Sequence, residues 1–368
     1  MNNITYVILF VILLILIVLF YGILYSDLTK CSESQKMTAP KITDTTLMID
    51  NNNGTLPLSQ YHIFSSWNTA CSGKFVSTQQ ILNVLTTGCR MVDLPITDVS
   101  GEPMICPNFT NDLSTNSIPL NMAVQTCVNN AFQKYITINY DCAGSSSQNY
   151  TLNNYEDPLF IQLRFGNTVV NKDDVISFLN KNTDNPLNIT VEFLNKIAEQ
   201  VGFTIKGLQY STQTNTIYTL DTTTNLQDLK NKVILLVDVT AFPLDIFKKS
   251  ELSKITNLVV GDKSGLMMYP FKILLDSTPE NIPNKNTNTI TKFNMALPDT
   301  LLNIQPNIQQ IMELAVYHNV QFMPFLFYRT NTLLKDYINL FQSKKSAFLP
   351  IEGLNKTLLQ ENEKAIMR

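Results

Sequence analysis

Few side chains in this chain can move a proton near neutral pH. There are two histidines in 368 residues, His62 and His318. His62 falls inside a short apolar run that reads as a strand, so a hydrogen-bonded structural histidine is the expectation and a catalytic role the alternative. His318 sits in a loop before a late predicted strand. The six cysteines (Cys31, Cys71, Cys89, Cys106, Cys127 and Cys142) all lie in the first half, and none has Cys-x-x-Cys spacing. With so few histidines, this argues against a zinc site. An even number permits disulfides in an oxidising compartment; buried thiols are the alternative, and the sequence assigns no pairs.

The elements that must position any chemistry are clearest between Tyr61 and Pro107. Tyr61–Phe64 reads as an apolar strand ending in small polar residues. Ile81, Leu82 and Leu85 then share one face of a helix that stops at Gly88. Met91–Leu94 reads as a second strand, and the turn Val99-Ser100-Gly101 leads to a third at Pro103–Ile105.

This stretch resembles the first catalytic half of phosphoinositide-specific phospholipase C. The family's Ser-Ser-His-Asn-Thr motif appears as Ser65-Ser66-Trp67-Asn68-Thr69, and its Gly-Cys-Arg as Gly88-Cys89-Arg90. Its Val-Glu-Leu-Asp appears as Val92-Asp93-Leu94-Pro95, with Asp98 at the aspartate shortly after. Its Gly-Glu-Pro is Gly101-Glu102-Pro103, and its next His-Gly falls on Pro107-Asn108. The strand Asp157–Phe165 matches a family strand whose glutamate position is Arg164. Leu229–Asp238 resembles the lysine-bearing strand that closes the first half. Order and spacing agree, more loosely, through Phe293–Leu297, Ile308–Tyr317, Val320–Phe327 and Leu333–Phe341 to Pro350.

The resemblance implies a (β/α)₈ TIM-type barrel with its chemistry at the strand C-terminal ends. The family cleaves a phosphodiester with two histidines and a calcium ion held by asparagine and carboxylates. Here the histidine positions are Trp67 and Pro107, which exchange no proton in the useful range. Of the metal positions Asn68 and Asp93 persist as weak candidates, Pro95 removes a carboxylate, and Arg164 replaces another with a cation. The expectation is therefore no cofactor, with calcium only if the chain is an enzyme. Asn68 and Asp93 are read as a hydrogen-bonded pair holding the loop. Arg164 has two open readings: a clamp for an anionic lipid head group or inositol phosphate, or a partner of Asp93 or another carboxylate.

Around this core the sequence divides into an anchor (1–26), a polar stalk (27–58), the barrel (59–350, with halves at about 59–245 and 250–350) and a C-terminal tail (351–368). Tyr6–Tyr25 has no charged side chain, and twenty residues span about 30 Å as a helix, which predicts an uncleaved single-pass transmembrane anchor rather than a signal peptide. The globular part would then be lumenal, extracellular or on a virion surface. Glycosylation sequons at Asn53, Asn108, Asn149, Asn188 and Asn355 follow the span and one at Asn3 precedes it. A net charge of −3 excludes nucleic acid as an expected partner. Arginine is confined to Arg90, Arg164, Arg329 and Arg368 amid many lysines and asparagines, a composition of AT-rich genomes such as those of large DNA viruses and some protists. The functional expectation is a membrane-anchored pseudoenzyme with a binding or structural role. Its alternatives are an active phosphoric diester hydrolase with an altered site, and an unrelated anchored ectodomain.

Overall fold

The computed structural model describes residues 10–21, 56–72, 75–106, 117–140, 146–165, 189–206, 220–261, 265–277, 292–298, 304–329 and 331–366. Eight parallel strands follow one another around a ring. We label them β1 (Tyr61–Ile63, resuming as Ser66–Trp67), β2 (Met91–Val99), β3 (Leu159–Phe165), β4 (Val233–Asp238), β5 (Leu258–Val260), β6 (Leu266–Pro270), β7 (Phe293–Leu297) and β8 (Phe325–Leu326). Adjacent pairs from β2 to β7 are parallel, as is β8 with β1. Single bridges, Ser65 to Met91 and Met295 to Phe322, complete the ring.

Strand periodicity sorts the side chains. On β2, β3 and β4, Val92, Leu94, Ile96, Ile161, Leu163, Leu235 and Val237 face outward. They share one core with the helices Thr78–Thr86, Leu120–Ala131 and Val191–Lys206. Their neighbours Met91, Phe160, Ile234 and Leu236 point inward and join Met268, Met295 and Phe322 in a second core. Buried on both faces, these strands are near-continuous apolar runs, as parallel barrel strands require. The first helix starts at Ser77, whose side chain accepts the Gln80 amide, and is stopped by Gly88 at φ 89°.

The seam between first and last strands is held by Tyr337. Its hydroxyl donates to the Met323 carbonyl (2.9 Å) and accepts the Ser65 amide (3.0 Å), while its ring stacks on Phe325. The final helix, Ile351–Ile366, buries Leu354 and Leu358 in the second core. One crossover departs from the repeat: residues 261–265 alone join β5 to parallel β6. Parallel strands are ordinarily joined by a dozen or more residues. Gly261 at φ 86° makes the short link possible, its N–H donating to the Leu266 carbonyl (2.8 Å).

The amino-terminal expectation is corrected. Among the described residues no helix is long and apolar enough to cross a membrane. The described part of the apolar run is a helix over residues 10–21, only about 18 Å at 1.5 Å per residue against a hydrocarbon core of about 30 Å. This overturns both the transmembrane helix of the expected fold and the single-pass membrane location. Residues 22–55, most of the expected stalk, lie outside the described residues, as do Cys31, Cys142, Pro107, Asn3, Asn53, Asn108 and Asn188. Asn149 is exposed on the strand Ser146–Thr151, and Asn355 is half-buried on the last helix.

Candidate functional site at the barrel mouth

The C-terminal ends of β1 to β4 bring together Trp67, Asn68, Asp93, Arg164 and Asp238. Inward alternation dictates this: Gln162 lies opposite Asp93 and Arg164 opposite Pro95 in the β2–β3 register, with Leu163 opposite Val237 on the other side. Arg164 therefore emerges between the Asp93 and Asp238 carboxylates.

The guanidinium is spent on this cluster. Its Nε donates to Asp93 Oδ1 (3.0 Å) and its Nη2 to Asp93 Oδ2 (2.9 Å), while Nη2 also donates to Asn68 Oδ1. The Asp93 carboxylate takes the Asn68 backbone amide as well (2.9 Å), the Thr69 amide donates to the Asp93 carbonyl (2.9 Å), and the Asp93 amide donates to the Thr69 hydroxyl (2.8 Å). Asn68 adopts φ 50°, a left-handed conformation that asparagine tolerates better than most residues, and this turns its side chain and amide to the same partners. The Trp67 ring covers the guanidinium, 4.0 Å from ring centroid to Cζ. Both Arg164 and Asp93 are 0% exposed, and Trp67 and Asn68 are 1% exposed. These four side chains pack together as a closed plug.

Asp238 completes the cluster. Its Oδ1 accepts the Thr240 amide (2.9 Å) and hydroxyl (2.6 Å). Burial pushes its carboxyl up to about 6, against the pull of the Thr240 bonds and of Arg164. A carboxylate at the end of a strand that the sequence already delineates was findable by position alone, since barrel chemistry gathers at strand C-terminal ends. Tyr328, whose hydroxyl is pushed up to about 12 chiefly by burial, neighbours Cys71 and Asn68 and carried no such signal.

The other sequence candidates lie elsewhere. Asp98 is exposed and caps the turn at Ser100-Gly101, its Oδ1 accepting the Gly101 amide (2.7 Å). Pro95 is buried beside Arg164 in register. His62 sits at the far end of β1 from Trp67, opposite Leu349. Its Nδ1 donates to the Val320 carbonyl (3.0 Å), its ring stacks on Phe341, and burial lowers it to about 4, against that bond. It is neutral and far from the mouth along the strand. His318 caps the helix Ile308–Tyr317. Arg90, part of the scaffold motif, is fully buried and donates to the carbonyls of Ala131 (2.8 Å) and Asn154, pinning the strand bases.

A calcium ion does not fit this arrangement. Asn68 Oδ1 and both Asp93 oxygens, the surviving family ligand atoms, all accept from one cation that belongs to the chain. Among the described residues, no group of three or more His, Cys, Asp or Glu side chains could hold a metal.

Comparison with known proteins agrees with the motifs. Residues 54–138 match the family model for the phosphatidylinositol-specific phospholipase C X domain. The 1-phosphatidylinositol 4,5-bisphosphate phosphodiesterase 1 of Saccharomyces cerevisiae is 35% identical over 80 residues, covering 21% of this chain and 9% of that protein. Among solved structures, PLC21 of L. pealei (TM-score 0.54) and PLC21 of S. officinalis (TM-score 0.53) are each 15% identical. Each alignment covers 83% of this chain and 40% of the other. The chain thus spans well under half the length of these relatives, and at this identity the structural likeness speaks to fold.

Proposed function

We propose that this phospholipase C-like protein does not turn over phosphodiesters and serves a binding or structural role through its barrel scaffold. One observation carries the reading: the Arg164 guanidinium bonds the very atoms, Asn68 Oδ1 and the Asp93 carboxylate, that the resemblance assigns to calcium. The chain supplies its own fixed cation where the family uses a diffusible one. Among the described residues no histidine accompanies it. Trp67, at the first histidine position, is stacked on Arg164, and the neutral His62 is committed to Val320.

The same geometry weighs against Arg164 as a phosphate clamp. An inositol phosphate would have to displace Asp93 from a fully buried bidentate pair, and Asp238 beside it adds acidic rather than basic character. The test is inositol phosphate release by the purified full chain from phosphatidylinositol and its phosphorylated forms, with calcium present and an active phospholipase C alongside. The expected result is no release above background, since loss of positioned acid–base groups costs about 10²–10⁴-fold per step. Calcium-dependent turnover that co-purifies with the chain would overturn the proposal.

A further inference from the structure

The hairpin that leads from the helix Leu120–Ala131 into the start of β3 lies at the opposite end of the barrel from the plug. Its strands Tyr135–Tyr140 and Ser146–Thr151 pair without a bulge, from Tyr135 opposite Thr151 to Tyr140 opposite Ser146. Ile136 and Ile138 turn one face into the core shared with the helices, and Tyr135–Tyr140 lies against the helix Thr78–Thr86. Ser146–Thr151 is therefore the outer strand. The Leu152 amide donates to the Lys134 carbonyl (2.8 Å), which sets the phase of the ladder. Antiparallel pairs alternate between bonded and non-bonded. Gln148 and Tyr150 thus bond back into the hairpin, and the N–H and C=O groups of Ser147, Asn149 and Thr151 point away from it. Among the described residues no backbone group pairs with these three, and all three residues are exposed.

Free edges are ordinarily blunted by shortness, charge, proline or a bulge. Other hairpin strands here follow that rule: Phe75–Val76 and Ile118–Pro119 are two residues long, and the second ends in proline. Ser146–Thr151 is six residues, SSQNYT, with no charge, no proline and no bulge. Its edge is also clear of side chain at the centre, because Asn149 leans back across the hairpin to accept the Thr137 hydroxyl (2.8 Å).

We propose that Ser146–Thr151 pairs antiparallel with the same strand of a second copy of this chain, joining the two hairpins into one sheet. A second copy is the occupant because antiparallel pairing about a two-fold axis sets a strand against its own reverse. Charges of one sign would repel themselves in that arrangement, and this strand carries none. The open groups give the register. Only an axis at Asn149 lets all three residues pair with one another: Asn149 with its counterpart, and Ser147 with Thr151 of the second copy.

The test is the mass of the full chain by analytical ultracentrifugation over a concentration series, with protein made in bacteria so that the sequon at Asn149 stays bare. A mild non-ionic detergent covers the exposed apolar helix over residues 10–21 throughout. The wild type is expected to reach the mass of a dimer. Ser147→Lys with Thr151→Lys sets like charges opposite each other on both sides of the axis and should weaken association at least about tenfold. Ser147→Lys with Thr151→Glu sets opposite charges face to face and should dimerise as the wild type does. Both positions are exposed, so the variants should keep the wild-type melting midpoint, which circular dichroism checks. A wild type that stays monomeric at every concentration, a dimer that survives the double lysine change, or equal loss in both double variants would overturn the proposal.

Discussion

Replacing Asp93 with asparagine tests the plug most directly. The substitution keeps side-chain volume and removes the charge that answers Arg164, leaving a guanidinium whose side chain has no exposure. Breaking a buried pair from one side costs about 3–5 kcal/mol, because the surviving charge cannot return to water. For a barrel of this size, at roughly 2 °C per kcal/mol, the melting midpoint should fall by about 6–10 °C. The comparison is Glu102→Gln. Its partner Lys196 is closer, at 2.6 Å, yet the two side chains are 38% and 57% exposed. An exposed pair contributes about 0–1 kcal/mol and is screened by salt. Burial rather than distance therefore sets the ranking. Urea melts of both variants at low and high salt provide the assay, joined by Arg164→Met and the double variant Asp93→Asn with Arg164→Met. The double variant should lose clearly less than the two single losses combined. If Asp93→Asn costs no more than Glu102→Gln, the guanidinium is hydrated and the argument for a closed mouth fails.

Three further outcomes follow from the same geometry. Trp67→Ala should cost about 3–5 kcal/mol, the range for truncating a buried tryptophan, and Trp67→His should restore no phosphodiesterase activity; denaturant melts and the inositol phosphate assay check these. Asp157 is pushed up to about 7, chiefly by burial and against the pull of Arg90, so the stability it contributes is present below its ordinary value near 4 and is lost as pH rises through about 7. His62 works in the opposite sense, so the check is the difference in midpoint between wild type and Asp157→Asn, which should change across pH 4–7 and be flat above it. Gly265→Ala would place a Cβ 2.3 Å from the Val259 carbonyl oxygen, and the short β5–β6 link should answer with a loss of several kcal/mol in a urea melt.

Legibility from sequence followed the strength of local signals. The helix at Ile308–Tyr317 and the strand Phe293–Leu297 have the bounds that the family resemblance implies. The strands Leu258–Val260 and Leu266–Pro270 were not readable, being short and joined without the helix that normally separates parallel strands. The hairpin Tyr135–Tyr140 with Ser146–Thr151 escaped because its polar second strand has no apolar alternation. The final helix reads in sequence as a tail, because its mostly polar residues hide that Leu354 and Leu358 are buried. At the mouth, motif spacing named Trp67, Asn68, Asp93 and Arg164, but not which of two roles Arg164 plays. Only the register of β2 against β3 brings residues 71 positions apart into a bidentate pair. Asp98 shows the converse: a motif position whose carboxylate folds onto its own turn.

The substitutions at the mouth make sense together rather than singly. A buried Asp93 without a cation would be costly, as would a buried Arg164 without an anion. With Arg164 in place, Asn68 and Asp93 keep the partners they need for the loop geometry that Thr69 and Ser66 also support. A tryptophan at position 67 can then cover the guanidinium, where a protonated histidine would meet a second positive charge. An arginine at position 164 thus supplies the positive charge that Asn68 and Asp93 need and leaves no room for an imidazolium, while hydrogen bonds from Thr69 and Ser66 hold the backbone around the site. Under the proposed function, the mouth of this barrel stays packed without a metal or an imidazole: the scaffold residues match the family motifs, while Trp67 and Pro107 stand at the histidine positions.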